Sequence, residues 1–211
     1  QVWDAEMEAK VARHKLLPTA EGLAGLNSFV GTSVSVSGNR ALVGAPNMGA
    51  SGAAIVFVDT GAGWEEEVVL LPPDNGDGSS FGASVSLQGN RALVGAWTDA
   101  GLGVTTGAAF VYDFDGSAWI QSVKLFASDA ESGDQFGRSV SLDGDRLLIG
   151  AVGNDDMGVA SGAAYIFDFD GSSWNEMDIL TASDGEDRET AMLASWVQQA
   201  SFEPPILSVA V

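Results

Sequence analysis

The side chains that could do chemistry in this chain are mostly carboxylates, gathered in three short acidic groups. The groups are Asp74, Asn75 and Asp77; Asp129, Glu131 and Asp134; and Asn154, Asp155 and Asp156. Paired carboxylates can exchange protons with a substrate when their surroundings separate their pKa values. Such oxygens also bind Ca²⁺, and Asp and Asn stabilise turns by accepting hydrogen bonds from nearby backbone N–H groups. We favour the turn-forming role over weak calcium binding, and both over catalysis.

A second candidate site contains Trp97, a large aromatic residue in a loop, with Asp99 two residues further on. An exposed indole could stack on a sugar ring or anchor a protein partner. The alternative interpretation is that Trp97 only covers the end of its own structural unit. We take Trp97, Asp99, Asn154, Asp155 and Asp156 as the candidate ligand-binding residues.

Several common catalytic arrangements are absent from the sequence. It contains no cysteine, which excludes disulfides, thiolate metal sites and cysteine nucleophiles. Its one histidine, His14, lies in a charged segment without a nucleophile motif, and no glycine-rich phosphate-binding loop is followed by lysine. An enzyme that assembles its site from scattered loops, for example a glycan hydrolase, is therefore the least favoured class.

The overall charge limits the partners. The formal net charge is −20, from 29 acidic and 9 basic residues. A protein that binds phosphates needs clustered Lys or Arg to displace counterions, so we expect neither nucleic acid nor anionic lipid as a partner. No apolar run approaches the roughly 18 to 20 residues that span a bilayer, so we predict no transmembrane segment.

The elements that position these residues are three copies of one repeat. Trp64, Trp119 and Trp174 follow one another at intervals of 55 residues. The second copy contains FGASVSLQGNRALVGA, which recurs as FGRSVSLDGDRLLIGA and, with one inserted valine, as FVGTSVSVSGNRALVGA. A period of about 50 to 55 residues is typical of propellers and solenoids.

Each copy is predicted to form four β-strands. In the first strand apolar and small polar residues alternate, which indicates one face against a neighbour. A two-residue Gly-Asn or Gly-Asp turn leads to an apolar, buried second strand. The third strand is predicted at Ala53–Asp59, Ala108–Phe114 and Ala163–Phe169. The fourth opens with the repeated tryptophan and carries polar residues, so we expect it at an exposed outer edge.

This order, from small and apolar strands to polar ones, is typical of a propeller blade. We expect an all-β fold, a β-propeller of four-stranded antiparallel blades, with blade 1 at 29–80, blade 2 at 81–135 and blade 3 at 136–187. Residues 1–28 resemble an outer strand and residues 188–211 form an atypical tail, so the termini are predicted to build an irregular or incomplete fourth blade. The alternatives are that exposed blade edges pair with another chain, or that the chain is a piece of a larger propeller.

The repeated Phe-Gly followed by Gly-Ala, as in Phe81-Gly82 and Gly95-Ala96, resembles the FG-GAP repeat of integrin α-subunit heads and of many bacterial surface proteins; the first copy has the form Phe29-Val30-Gly31 and Gly44-Ala45-Pro46. The resemblance covers about 29–184. It implies a β-propeller, usually seven-bladed in integrins, that is exported and takes part in adhesion or ligand binding. The location implied is extracellular or at the cell surface.

The turn between the first two strands departs from the calcium-binding members of that family. Those members carry an Asp-x-Asp-x-Asp-Gly loop there, whereas this chain has two-residue turns such as Gly38-Asn39. Two residues cannot supply the six to eight oxygens that Ca²⁺ requires. We predict no calcium at these turns and no other cofactor, apart from weak calcium binding in the acidic loops. The copies look like the short-turn bacterial subtype.

Two functions from different classes remain open. The favoured one is an exported, non-enzymatic FG-GAP-type β-propeller for cell-surface adhesion or for recognition of a protein or carbohydrate ligand. The alternative is a structural subunit whose blade edges pair with other copies in an oligomer or a filament. The alternative is motivated by the count of three complete units, because closed propellers have about four to eight blades.

Overall fold

The described part of the chain folds into three four-stranded antiparallel sheets. The computed structural model describes residues 28–73, 78–101, 105–156 and 161–181. In each sheet the strands lie side by side in chain order. Blade 1 consists of β1 (Val34–Ser37), β2 (Arg40–Ala45), β3 (Ala53–Asp59) and β4 (Trp64–Leu70).

The other two blades repeat this order. Blade 2 consists of β5 (Ser84–Gln88), β6 (Arg91–Ala96), β7 (Ala108–Phe114) and β8 (Trp119–Leu125). Blade 3 consists of β9 (Phe136–Asp143), β10 (Arg146–Ala151), β11 (Ala163–Phe169) and β12 (Trp174–Thr181). The described residues therefore confirm the predicted all-β fold of three four-stranded blades, including the positions of the third strands.

Tight turns join the first two strands of each blade. Ser37 pairs with Arg40 across the first turn, and the same pairing recurs in the other two blades. The φ angle is +58° at Gly38 and +55° and +57° at the corresponding glycines, whereas the following Asn39 does not have a positive φ. Positive φ at the first central residue alone is the type II′ turn, whose twist matches the flanking strands. The two-residue turns predicted from the sequence are confirmed.

The first strands of the three blades surround a common groove. The Ser35 hydroxyl accepts a hydrogen bond of 3.0 Å from the Leu87 N–H, and the Ser86 hydroxyl accepts one of 3.1 Å from the Leu142 N–H. The groove is lined by Thr32, Ser33, Val34, Ser35, Val85, Ser86, Val140 and Ser141. The first strands are therefore the inner strands, and the fourth strands lie at the outer edge, as the sequence predicts for a propeller blade.

The hydrophobic core lies between successive blades. Phe81, at the start of blade 2, is fully buried and makes edge contacts with Phe110 and Tyr112 at ring separations of 5.2 and 6.1 Å. Leu70 of blade 1 belongs to the same cluster. Blade 3 repeats the arrangement around Phe136. Apolar surface that is removed from water stabilises a fold by about 25 cal/mol per Å². Because these side chains are buried between successive blades, each blade stabilises its neighbours.

Blade 1 departs from the predicted alignment at its first residues. The Thr32 N–H donates to the carbonyl of Phe29, as in the corresponding turn that begins at Ser80. Phe29 and Ser80 also share a positive φ, +50° and +54°. Phe29 therefore corresponds to a turn residue outside the core, where its side chain is 59% exposed, and Val30 takes the position of the buried Phe81. The interpretation of Val30 as an insertion after the motif phenylalanine is wrong.

Some predictions fall outside the described residues. The fourth blade predicted from the two terminal segments and the acidic group at 74–77 are among them, and both stay predictions. Over the residues that the structure does describe, no helix is long and apolar enough to cross a membrane.

Candidate functional site

The loops that carry the candidate ligand-binding residues lie at one end of the blades, where strand two leads into strand three. We call this the loop end. The chain also passes here from one blade to the next, and backbone bonds tie the two connections together. The Gly133 N–H donates to the Thr105 carbonyl at 2.8 Å, and the Phe136 N–H donates to the Thr106 carbonyl at 2.9 Å. The loop end of blade 2 is therefore fixed to the start of blade 3.

Trp97 lies at the loop end, on the boundary between blades 2 and 3. It follows β6 directly and is half-buried. The guanidinium carbon of Arg138, an exposed residue of β9, lies 4.6 Å from the centre of the Trp97 ring. An exposed cation–π contact of this kind contributes about 0.5–1 kcal/mol. Trp97 thus joins two blades and still keeps part of its surface in solvent.

Asp99 is placed differently from its neighbour Trp97. It is only 2% exposed, and the Lys124 ammonium lies 2.9 Å from its Oδ1 atom. The Gly101 N–H donates to the same carboxylate at 2.8 Å, and the Gly107 N–H donates to the Asp99 carbonyl at 3.0 Å. The carboxylate of Asp99 therefore holds the loop in shape.

Asn154 occupies the same loop position in blade 3, and it is also 2% exposed. Its Nδ2 group donates to the Tyr165 hydroxyl at 3.2 Å and to Asp156 at 3.3 Å. The Tyr165 hydroxyl in turn donates to Asp129 at 2.8 Å. Burial raises the pKa of Tyr165 well above its ordinary value, and the hydrogen bond to Asp129 raises it further. The phenol therefore remains protonated and links Asp129, in the connection between blades 2 and 3, to Asn154 in the loop of blade 3.

Asp134 is the buried carboxylate of this cluster, with 2% of its surface exposed. Its Oδ2 atom accepts a hydrogen bond of 2.6 Å from the Glu131 N–H. Burial raises the pKa of Asp134, and the nearby charges of Asp129 and Asp155 add to the increase. Asp155 and Asp156 are exposed. The structure thus brings two of the predicted acidic groups together at the loop end of blade 3.

These carboxylates do not converge on a metal position. Among the described residues, no group of three His, Asp or Glu side chains is arranged to hold a metal ion.

The turn-forming role of aspartate is clearest at Asp115, whose Oδ1 atom accepts hydrogen bonds from the N–H groups of Ala118 and Ser117. These hydrogen bonds lower the pKa of Asp115 below its ordinary value, and the bond from Ala118 has the largest effect.

The arginine that follows each hairpin turn was not recognised as functional from the sequence. Arg40 donates from two nitrogens to the Glu67 carboxylate, both at 2.8 Å. Its guanidinium also lies over the ring of Phe114 in the next blade. The signal was present, because an arginine stands directly after the turn in all three copies of a chain with only 9 basic residues. Arg138 was not recognised from the sequence either.

A comparison with sequence models of known protein families matches the FG-GAP repeat at residues 64–112 and 119–167. Each match begins at the first residue of a fourth strand, Trp64 or Trp119, and ends within the third strand of the following blade. The repeat in the sequence is thus offset by one strand from the blade in the structure, and each copy contains a boundary between two blades. A comparison with curated proteins found no match.

Proposed function

Because the chain contains FG-GAP repeats, we propose that it is an exported, non-enzymatic β-propeller that recognises a protein or carbohydrate ligand outside the cell or at its surface. The two matched repeats support the family, and repeats of this family are common in extracellular proteins. A rigid set of strands that carries variable loops at one end is also a frequent arrangement in binding proteins.

The observation that carries the proposal is the pair formed by Trp97 and Arg138 at the loop end. Trp and Arg are the residue types most enriched among the residues that dominate protein-binding energies. The indole can also stack on a sugar ring, since it is apolar on its face and polar at its edge. Asp155 and Asp156 are exposed at the same end of blade 3. Their charges favour a neutral or basic ligand over an anionic one.

Two further features support recognition rather than catalysis. The carboxylate of Asp134, whose pKa is raised, is buried and engaged with the Glu131 N–H. The hydroxyl of Tyr165 is engaged with Asp129. Neither group is positioned as an accessible proton donor to a ligand in solution. The proposed binding requires no metal or other cofactor.

The test measures binding of the purified chain and of matched variants. The probes are a printed array of neutral and amino saccharides and, in parallel, intact cells. We expect Trp97→Ala and Arg138→Ala to weaken binding by about tenfold or more. Ile120→Ala, at a residue that is 53% exposed on the outer strand β8, should leave it unchanged, and so should calcium chelation. Binding that survives loss of Trp97 would place the ligand elsewhere, and turnover of a saccharide would show catalysis.

A specific observation also favours a second function, self-association. Val34 and Val36 of the inner strand β1 are each 69% exposed. Their counterparts in blade 2, Val85 and Leu87, are 6% and 5% exposed because they pack on the blade before them. Apolar side chains that are buried in one repeat and bare in another indicate an interface for a partner.

A further inference from the structure

The arginine that follows the first hairpin turn of blades 1 and 2 is covered by aromatic rings of the next blade. The guanidinium carbon of Arg40 lies 4.2 Å from the centre of the Phe114 ring and 5.7 Å from that of the Trp119 ring. Arg91 lies over the two corresponding rings of blade 3, at 5.0 and 5.1 Å. In both places the rings flank the hairpin between the third and fourth strands of the next blade. A hairpin with aromatic side chains thus occupies this position at both boundaries.

The next blade also supplies an oxygen to each of these arginines. The Nη1 atom of Arg40 donates a hydrogen bond of 3.1 Å to Asn90, and that of Arg91 donates one of 3.2 Å to Asp145. A carboxylate of the same blade as the arginine accepts from its Nε atom and holds the guanidinium in place. Each arginine therefore binds a ring and an oxygen from its neighbour while its own blade fixes its orientation.

Arg146 takes this position in blade 3, and its orientation is fixed in the same way. Its Nε and Nη2 atoms donate to Asp168, both at 2.7 Å. No described residue accepts a hydrogen bond from its Nη1 atom, and no described ring lies over its guanidinium. The side chain of Arg146 is 49% exposed, whereas those of Arg40 and Arg91 are 15% and 21% exposed. Among the described residues, nothing provides the ring and the oxygen that the other two arginines bind.

An open groove lies beside Arg146, at the end of blade 3 opposite to the loop end. Its volume is about 370 Å³, and it is lined by Asp143, Asp145, Arg146, Asp168 and Phe169. Ligand pockets have volumes of about 300–1,000 Å³. The groove does not include the inner part of the blade, where Ser139, Leu148 and Ala164 are only 5%, 8% and 4% exposed. The site is thus confined to the end of blade 3 that carries its two hairpin turns.

The lining residues define what can fill the groove. Arg146 is paired with Asp168 along one edge of its guanidinium, so its planar face stays available for an aromatic ring. Three carboxylates accompany one guanidinium here, and the side chain of Asp145 is 73% exposed. This excess of negative charge disfavours an acidic occupant. The carboxylates can accept a hydrogen bond from an indole N–H, as Glu67 does from Trp119 at 3.1 Å.

We propose that the groove beside Arg146 binds a tryptophan side chain of a partner protein, carried on a neutral or basic segment. The indole ring lies on the Arg146 guanidinium, a carbonyl oxygen of the same segment accepts from Nη1, and the indole N–H donates to a carboxylate of the groove. Tryptophan forms the strongest cation–π contacts of the aromatic side chains, and it is among the residue types that dominate protein-binding energies.

A protein segment fits the groove because it supplies a ring and an oxygen together, as the neighbouring blade does at the two internal boundaries. The site lies at the opposite end of the blades from Trp97, so the inference does not depend on ligand recognition at the loop end.

The test uses the isotope-labelled full chain and short peptides that are capped at both ends. Gly-Ser-Ala-Trp is the sequence of residues 116–119, whose indole ring lies over Arg40, and Gly-Ser-Ala-Leu is the matched control. We expect the tryptophan peptide to shift the amide signal of Phe169 and the Nε–H signal of Arg146 saturably, with a dissociation constant on the order of 1 mM. The leucine peptide should bind about threefold more weakly or not at all, because it offers no π face to the guanidinium. A lysine added before the tetrapeptide should strengthen binding, and a glutamate should weaken it.

Variants of the groove identify the groups that bind. Arg146→Ala should weaken binding of the tryptophan peptide about threefold or more, whereas Arg146→Lys, which keeps the charge without the planar face, should weaken it less. Asp143→Asn should reduce the preference for the lysine peptide over the glutamate peptide. Arg146 is half-exposed in the free chain, and unchanged amide signals away from the groove verify that each variant is folded. Ile120→Ala, at an exposed residue of β8, is the matched control and should leave binding unchanged.

Several results would overturn the inference in distinguishable ways. Equal binding of the leucine peptide, or no saturable shift at Phe169, would reject a site for an aromatic ring. Unchanged affinity in Arg146→Ala would place the peptide elsewhere, and shifts confined to the surroundings of Trp97 would assign it to the loop end. Shifts of the groove signals with protein concentration alone would show that a second copy fills the groove. A ring-shifted Arg146 signal in the dilute free chain that the peptide does not change would show that the groove is filled within one chain.

Discussion

The guanidinium carbon of Arg40 lies 4.2 Å from the centre of the Phe114 ring, across the boundary between blades 1 and 2. The same guanidinium is held from its own blade by Glu67, and its Nη1 atom donates to Asn90 at 3.1 Å. Trp119 completes the arrangement, because its Nε1–H donates to Glu67 at 3.1 Å. One arginine thus fixes the relative position of two blades through a carboxylate, an amide and two rings.

Replacement of Arg40 by alanine should lower the free energy of unfolding by about 2–3 kcal/mol, because it leaves the half-buried Glu67 without its charged partner. The Arg40 hydrogen bond holds the pKa of Glu67 below its ordinary value. Urea unfolding of both proteins at low concentration measures the difference. Arg146→Ala removes the ion pair with Asp168, which is more exposed than the pair of Arg40 with Glu67, so its effect on the free energy of unfolding should be much smaller. Equal losses at the two positions would contradict this account.

Gly44 should not tolerate a side chain. A Cβ at this position would overlap the Gly82 carbonyl oxygen of the next blade and the Ser33 hydroxyl. We expect Gly44→Ala to cost about 3 kcal/mol or more, since backbone atoms of a packed interface cannot move aside. Gly31→Ala is the control, because Gly31 has a φ of +92° but open space around it. It should cost only the backbone strain of about 1–2 kcal/mol. Thermal unfolding of both variants distinguishes the cost of steric overlap at Gly44 from the cost of backbone strain at Gly31.

The side chain before Gly82 should contribute strongly to the stability of blade 2, whereas the side chain before Gly31 should contribute little to that of blade 1. Phe81 is fully buried between Phe110 and Tyr112, so Phe81→Ala should cost about 3–5 kcal/mol. Val30 at the same position is 39% exposed, and Val30→Ala should change the stability of a single copy by less than about 1 kcal/mol. Chemical unfolding of dilute samples gives both values. A large loss at Val30 would mean that this position is covered even in a single chain.

The strands and turns were predictable because their signals are local. Alternation within a strand and glycine in a two-residue turn act over a few residues, and three copies of each pattern fixed the boundaries. The exposure of Phe29 was not predictable, since only the backbone shows that Phe29 is a turn residue like Ser80 and that Val30 takes the position of Phe81. Asp99 and Asn154 illustrate the same limit, because their partners lie on strands outside the loops that contain them. Lys124 lies 25 residues from Asp99, and Tyr165 lies 11 residues from Asn154.

The stability of the fold should depend on pH through Asp134. Because burial raises its pKa in the folded state above the ordinary value of 3.8, folding favours the protonated form. The stability that this group contributes is therefore fully present below pH 3.8 and is lost as the pH rises through the raised pKa. At neutral pH the buried charge destabilises the fold, so Asp134→Asn should increase stability there. The amide can still accept the bond from the Glu131 N–H.

The measurement is the urea midpoint of the natural chain and of Asp134→Asn from about pH 3.5 to 8, a range in which carboxylates titrate. We expect the variant to be more stable at neutral pH and the gap to narrow as the pH falls, because the natural carboxyl then takes up its proton. Carboxylates with lowered pKa, such as Asp168 beside Arg146, lose their contribution at low pH in both proteins and cancel in the comparison. Asp155→Asn removes an exposed charge of the same cluster and should produce a smaller change. A gap that does not vary with pH would show that Asp134 is not the titrating group.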